Sequence, residues 1–308
     1  MNLNTRRMKD SHLVEIQSFF RGTIRCDEPM KKHTTLKIGG PADYFFEPAD
    51  KKDVINLIVY HYEQNLPYFV LGKGSNILVG DKGIRGSVIA IRDTLSYLNI
   101  EGEYVTAGAG YNLPRLVLDV IEHGLEGIEN LGGIPGTVGG AVIMNAGAYQ
   151  REIFDVITRV ECVRRGKHLE LKPEEIDFGY RYTNLTDSVI LEITMQLKKS
   201  TDIESIKQKR KNLLEKRSQS QPLNKPNAGS IFKNPPDDYA GRLIESCNLK
   251  GLQTGGAMVS PKHANFLVNE NNATASDMMT LIEKVKTCVF EKFNIVLELE
   301  VQLIGEGF

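Results

Sequence analysis

Residues 131–147 read LGGIPGTVGGAVIMNAG, and no other stretch limits the fold as strongly. Six glycines, Gly132, Gly133, Gly136, Gly139, Gly140 and Gly147, lie among the buried-type residues Ile134, Val138, Val142, Ile143 and Met144. Glycine allows close backbone approach. A run this apolar and this rich in glycine suits a backbone pressed against a large flat ligand; a pair of packed glycine turns would use the same residues. A second cluster, Gly72-Lys73-Gly74-Ser75-Asn76, follows the apolar stretch Tyr68–Leu71. Successive N–H groups in such a turn form a nest for phosphate oxygens. Its spacing fits neither a Walker A loop nor a GxGxxG fingerprint, and a tight turn between strands remains an alternative. Two clusters in one chain suit a pyrophosphate with rings at both ends.

The rest of the chain alternates strand and helix signals, which argues for α/β packing. Residues 1–30 predict an N-terminal helix, with Leu13, Ile16, Phe19 and Phe20 at helical spacing. Lys52–Gln64 predicts a helix with Val54, Leu57, Ile58 and His61 on one side. Val88–Ile91 and Tyr104–Ala107 read as strands. Asn112, Pro114 and Gly124 read as the cap, first turn and stop of the next helix. Val156–Val163, His168–Leu171 and Val189–Leu197 read as strands of one sheet. Composition shifts near Lys199. The charges of Ile203–Arg217 read as a solvated helix face, and Gln219–Ala228 as a polar crossing. Helices are expected near Asp238–Cys247 and over Thr274–Phe293, the latter with a Thr274/Asp277 capping box. In the terminal stretch 295–304, strand alternation puts Ile295, Leu297, Leu299, Val301 and Leu303 on one face and Glu298, Glu300 and Gln302 on the other.

Several residues outside the glycines bear chemistry. Ser230 follows a glycine in NAGSIFKNP (227–235), with Lys233 and Asn234 close by as anion binders. No G-x-S-x-G elbow surrounds it, so acyl transfer is unsupported; a hydroxyl resupplied by a base or water can donate a proton instead. A turn residue is the plain alternative. Arg181, in FGYR (178–181), suits a carboxylate or phosphate because its fork bonds bidentately, and equally a structural ion pair. His263, in KHANF (262–266), is a pocket candidate or a satisfied loop histidine.

Bulk properties narrow the class. At 308 residues the chain has room for two or three domains. A net charge of −1 gives no bulk attraction to nucleic acid or anionic membrane. No apolar run reaches the ~20 residues needed to span a bilayer, and no signal peptide is read. Cys26, Cys162, Cys247 and Cys288 match no zinc spacing and read as free thiols in a reducing cytoplasm. No metal site is expected.

In this order, from about Thr34 to Gly305, the segments TTLKIGGPADYFFEP (34–48), GKGSN (72–76), GLEGIENLGGIPGTVGGAVIMNAGAY (124–149), FGYR, NAGSIFKNP, LIESCNLKG (243–251), KHANFLVN (262–269) and LELEV (297–301) resemble the MurB family, the flavoprotein UDP-N-acetylenolpyruvoylglucosamine reductases of peptidoglycan synthesis. The resemblance implies an α+β protein. Two FAD-binding subdomains of the PCMH (vanillyl-alcohol-oxidase) type, at 34–92 and 93–203, would follow an N-terminal extension, 1–33. A C-terminal α+β substrate domain would occupy 204–308. The compact stretch between Arg181 and Ser230 resembles the shorter type II form.

The resemblance also implies chemistry. NADPH would reduce a non-covalently held FAD and leave, and the enolpyruvyl nucleotide sugar would take its place. Hydride would go from flavin to C3. Arg181 and Glu300 match the residues that polarise the carboxylate, and Ser230 the one that protonates C2. The cofactor would be held by Gly72, Lys73, Gly74, Ser75 and Asn76, and by Gly132, Gly133, Ile134, Pro135, Gly136, Thr137, Gly139, Gly140, Asn145, Ala146 and Gly147. Tyr180, Arg217, Lys233, Asn234, Lys262, His263 and Asn265 would bind the substrate. The enzyme would be cytoplasmic, a monomer or weak dimer, with no nucleic-acid partner and no membrane insertion. One departure stands out: many members carry an Arg two residues after the Glu, where this chain has Gln302. A different small substrate on the same FAD platform is the competing reading.

Overall fold

The computed structural model describes residues 8–308. The chain forms two compact units, each assembled from separated segments. The first contains the described residues through Arg25, Tyr44–Lys73 and Gly86–Glu215; the second contains Cys26–Asp43, Gly74–Arg85 and Lys216–Phe308.

In the first unit α1 spans Asp10–Phe19, and Phe20 already has extended backbone. The residues that follow do not continue the helix: Thr23–Pro29 is a strand. This corrects the helix expected over 1–30. The helical spacing of apolar residues ends at Phe20, and β-branched Thr23 and Ile24 favour the pleated backbone. The part of that expectation on residues 1–7 lies outside the described residues. Helix α2, Lys51–Glu63, starts where the Asp50 side chain accepts from the Asp53 N–H, and buries Val54, Leu57, Ile58 and His61 as its spacing requires. Tyr68–Leu71 pairs in parallel with Ser87–Ala90, within a sheet of strand order Thr23–Pro29, Pro41–Glu47, Ile84–Ala90, Tyr68–Leu71.

A five-stranded sheet in the same unit has the order Lys167–Leu171, Ile157–Arg164, Ser188–Gln196, Tyr104–Gly108, Leu98–Glu101, with antiparallel pairing throughout. Helix α3, Leu113–Glu122, is capped by Asn112 with Pro114 in its first turn, and Gly124 follows it with φ of 73°. Its face of Leu116, Val117 and Val120 joins Val105, Val160, Ile193 and Met195 in one apolar core. Short helix α4 spans Val138–Ile143, and α5, Ile203–Ser220, is largely exposed, as its charges predict.

The second unit holds helices α6, Ala240–Ser246, and α7, Ala275–Phe293. A small antiparallel sheet runs in the order Gln253–Thr254, Ala257–Val259, Leu267–Asn269. The capping box of Thr274 and Asp277 is present. Asp81 adds to it, accepting from the Ala275 N–H at 2.7 Å and the Ser276 N–H at 3.0 Å. Leu243, Ile244, Val259, Leu281, Val285, Leu297 and Val301 form its core.

The terminal strand departs from expectation. It is not continuous over 295–304; only Gln302–Ile304 is strand, parallel to Ile77–Val79. Upstream, Lys233 N–H donates to the Glu298 carbonyl at 2.9 Å, and the Ile231 carbonyl accepts from both Glu300 and Val301, at 2.8 and 3.4 Å. Two residues facing one carbonyl form a bulge, which breaks the pleat. The segment changes partners at this point, from 231–233 to 77–79. Leu303 is accordingly 37% exposed while Val301 is buried, so the face shared by Glu298 and Glu300 does not carry through to Gln302.

Candidate active site

In the first unit the long glycine segment lies along residues 109–113. Leu113 N–H donates to the Gly136 carbonyl at 3.1 Å, Val138 N–H to Tyr111 at 2.9 Å and Gly139 N–H to Ala109 at 2.8 Å. A Cβ on Gly139 would lie 2.9 Å from the Ala109 Cβ, whereas one on Gly140 would meet nothing nearer than Thr137 Oγ1 at 3.6 Å. Gly139 is therefore demanded by packing inside the protein; Gly140 is not. The segment thus has a buried back, Gly132, Thr137, Gly139, Asn145, Ala146 and Gly147, and a more open edge of Gly133, Ile134, Pro135, Gly136 and Gly140. Thr137 caps α4. The two glycine clusters also meet: a Cβ on Gly72 would stand 2.4 Å from Thr137 Oγ1.

The FGYR turn is tied to the far end of the same segment. Asn145 is fully buried in left-handed backbone, φ 41°. Its Nδ2 donates to Glu152 Oε2 at 2.6 Å and to the Gly179 carbonyl at 3.0 Å. Arg181, also left-handed at φ 54°, donates from a terminal nitrogen to the Gly147 carbonyl at 2.8 Å and stacks over the half-exposed Tyr180 ring at 5.0 Å. A cation on a turn held at both ends is a preorganised partner for an anion. Asn145 was expected to touch a cofactor; its carboxamide is spent on the protein.

The second unit gathers the other half of the candidates. Asn227 Oδ1 accepts from the Gly229 N–H at 2.9 Å, an Asx turn that sets the backbone just before Ser230. Ser230 itself is partly exposed. Ile231 N–H donates to the Asn265 carbonyl at 2.9 Å, and Glu300 N–H donates back to Ile231. Asn76 Nδ2 donates to the Glu300 carbonyl at 3.1 Å, and Asn76 O accepts from Gln302 N–H at 3.0 Å. The last three of these bonds, two between backbones and one from the Asn76 side chain, join Ile231, which follows Ser230, to Glu300 and to the end of GKGSN, three segments far apart in sequence.

Other candidates take structural partners here. Asn234 Oδ1 accepts from the Ala240 N–H at the start of α6, 3.1 Å. Lys233 Nζ lies 3.7 Å from Glu298, and Lys262 Nζ donates to the Ser218 carbonyl. His263 packs edge-on against Phe266, and burial pushes its pKa below the ordinary value, with Lys250 pushing the same way against Glu245. Its Nδ1 accepts from the Asn265 N–H at 3.3 Å. Asn265 is 3% exposed, its carboxamide bonded to the Phe232 backbone on both sides. Arg217 lies on α5, partly exposed. Asp81, Asn227 and the bonding of Asn76 were missed by sequence reasoning. Asn-x-Gly at 227–229 was a readable Asx-turn signal; the other two carry no local sign.

Among the described residues no group of His, Cys, Asp or Glu is arranged to hold a metal, and no helix is long and apolar enough to cross a membrane.

Comparison with known proteins bears on both halves. Residues 42–171 match the family described as FAD binding domain, and residues 221–304 the family described as UDP-N-acetylenolpyruvoylglucosamine reductase, C-terminal domain. The chain is 46% identical over 301 residues to the UDP-N-acetylenolpyruvoylglucosamine reductase of Chloroherpeton thalassium, covering 95% of this chain and 97% of that protein. It is 43% identical to the one from Caldanaerobacter subterraneus subsp. tengcongensis, covering 92% and 95%. The crystal structure of the Thermus caldophilus enzyme superposes with a TM-score of 0.79 at 36% identity, covering 93% of this chain and all of that one.

Proposed function

Because this chain belongs to the UDP-N-acetylenolpyruvoylglucosamine reductase family, we propose that Arg181, Ser230 and Glu300 act together on the enolpyruvyl group of its substrate. The enzyme is a flavoprotein oxidoreductase that uses FAD and NADPH to reduce UDP-N-acetylglucosamine enolpyruvate to UDP-N-acetylmuramate for peptidoglycan synthesis. Its fold is the PCMH-type FAD-binding module followed by a C-terminal α+β domain. The division 34–92, 93–203 and 204–308, after an extension 1–33, is the functional partition proposed with it.

The residues present fit FAD. A side chain at Gly72 would overlap Thr137, so within the first unit the backbone at Gly72 lies directly against the long glycine segment. Gly72, Lys73, Ser75 and Asn76, with Gly133, Ile134, Pro135, Gly136 and Gly140, are the residues proposed to touch it; Gly74, Gly132, Thr137, Gly139, Asn145, Ala146 and Gly147 support them from behind. When bound, FAD supplies hydride taken from NADPH. The chain's own residues manage charge and proton. Negative charge grows on the substrate carboxylate as C3 is reduced, so a fixed Arg181 stabilises the transition state more than the ground state. An ionised Glu300 would repel that charge; it works as a protonated hydrogen-bond donor. Ser230 gives its proton to C2 and is resupplied by a base or water.

The observation that carries this reading is the backbone bond from Glu300 to Ile231, the residue after Ser230, at 2.8 Å. Tyr180, Arg217, Lys233 and Lys262 are the proposed contacts to the nucleotide sugar, with Asn234, His263 and Asn265 behind them. The enzyme acts in the cytoplasm as a monomer or weak dimer. The decisive experiment reduces the FAD-loaded protein with NADPH without oxygen and then adds UDP-N-acetylglucosamine enolpyruvate. Prompt reoxidation of the flavin with formation of UDP-N-acetylmuramate is expected. A reduced enzyme that ignores this compound sinks the reading in favour of another small substrate.

A further inference from the structure

We infer that Asn265 is a positioning residue for the proton transfer, clamping the Phe232 backbone and thereby setting where Ser230 stands. This rests on the reading of Ser230 as proton donor. The Asn265 side chain is buried, and its carboxamide behaves as a peptide group would in a sheet. Oδ1 accepts from the Phe232 N–H at 3.0 Å and Nδ2 donates to the Phe232 carbonyl at 2.8 Å. Its own backbone carbonyl takes the Ile231 N–H at 2.9 Å. Three consecutive bonds from one residue therefore hold residues 231 and 232. On their other side Ile231 O and Lys233 N–H bond to Glu300 and Glu298. The Ile231 and Phe232 side chains are 2% and 1% exposed.

Ser230 itself is held from both directions. Upstream, Asn227 pins Gly229; downstream, Asn265 and Glu300 pin Ile231. No bond in this set fixes the Ser230 hydroxyl directly, so its place follows from the two pinned neighbours. Of the three holding residues, Asn265 is the one whose side chain is buried and spent entirely on this backbone. Losing the carboxamide would leave the buried Phe232 N–H and carbonyl without partners, and the segment would shift to recover them. A shift of about 1 Å at a reacting group costs on the order of 10²-fold in rate.

The test uses the FAD-loaded enzyme and follows the two half-reactions separately in wild type, Ser230→Ala, Asn265→Ala and the double variant. Asn265→Ala is expected to leave flavin reduction by NADPH unchanged and to slow reoxidation by the enolpyruvyl substrate by about 10–100-fold. The double variant is expected to be no slower than Ser230→Ala, because Asn265 acts only through the serine. Losses that multiply, or an Asn265→Ala enzyme slowed equally in both halves, overturn the inference. Should Asn265→Ala fail to fold, Asn265→Asp keeps the volume and the acceptor for the Phe232 N–H. It is then expected to give a smaller loss with the same failure to multiply, and multiplication again overturns the inference. Ser230→Ala slowing both halves alike, or neither, overturns the serine reading and this inference with it. A selective Ser230→Ala with multiplying Asn265→Ala overturns the inference alone.

Discussion

The glycine strip of the first unit and the serine segment of the second solve one problem, holding irregular backbone still, by different means. The strip is held mostly by its own main chain: residues 136–139 bond to 109–113, and Gly139 fits because it has no side chain. The serine segment is held by side chains and backbone arriving from 227, 265 and 300. Backbone held by backbone depends on what a residue lacks. Backbone held by remote carboxamides depends on what a distant residue supplies. Each region still has one buried asparagine, Asn145 behind Arg181 and Asn265 behind Ser230, since a carboxamide can donate and accept where no strand is available.

The largest effect expected falls on the serine segment. Ser230→Ala should slow the second half-reaction by about 10²–10⁴-fold, the range for a lost general acid, while flavin reduction by NADPH proceeds nearly as in wild type. Stopped-flow flavin absorbance separates the two; equal loss in both would make Ser230 a structural residue.

The strip is probed by two neighbouring glycines. Gly139→Ala puts a methyl 2.9 Å from Ala109 and should destabilise the protein by about 1–3 kcal/mol through overpacking. Gly140→Ala meets no such contact and should stabilise helix α4 by about 0.5–1 kcal/mol, yet weaken FAD retention because it lies on the open edge. Urea unfolding with flavin titration measures both. If the two variants behave alike, the division of the strip into back and edge is wrong.

The first unit also carries a pH dependence. His61 is buried on α2, with Nδ1 2.7 Å from the Leu57 carbonyl and Nε2 2.7 Å from Ser87 Oγ. Burial pushes its pKa from 6.5 down to about 4. Between these values the unfolded chain binds a proton that the folded chain does not, so stability present above pH 6.5 is lost as pH falls toward 4. At about pH 5.5 the loss from this residue should be about 1.4 kcal/mol. Chemical denaturation across that window checks it, and a slope unchanged in His61→Gln would assign the effect elsewhere.

The smallest effect belongs to the second unit. Asp81→Ala removes two bonds to the first N–H groups of α7 and should cost about 1 kcal/mol, as for a lost helix cap. Thermal unfolding reads it out. A larger loss would mean that the Thr274/Asp277 box does not hold the helix start alone.

These pairs also separate what was legible in the sequence from what was not. Helices α2, α3 and α7 were readable because cap and apolar face lie within one short window: Asn112 with Leu116 and Val120, Thr274 with Asp277. The glycine segments announced close backbone approach by composition, although which glycines serve packing and which lie on the open edge was not visible. The helix expected through residue 30 failed after Phe20, where the Thr23–Pro29 strand is defined by its pairing with the next strand, Pro41–Glu47, outside the window that helical periodicity reads. The terminal strand failed where its partner changes, because alternation assumes an unbroken pleat.

By itself the sequence determined the family, the helices with local caps, and the residue types able to handle charge and proton chemistry. Only the tertiary structure decided that the carboxamides of Asn265 and Asn145 are buried and bonded to the protein, and that a bulge separates Glu300 from Gln302. It also decided that Asn76, Ile231 and Glu300 share one set of bonds. Periodicity and capping are short-range and written in neighbouring side chains. Which distant backbone a carboxamide or strand will meet depends on the packing of the whole unit, and no local pattern records it.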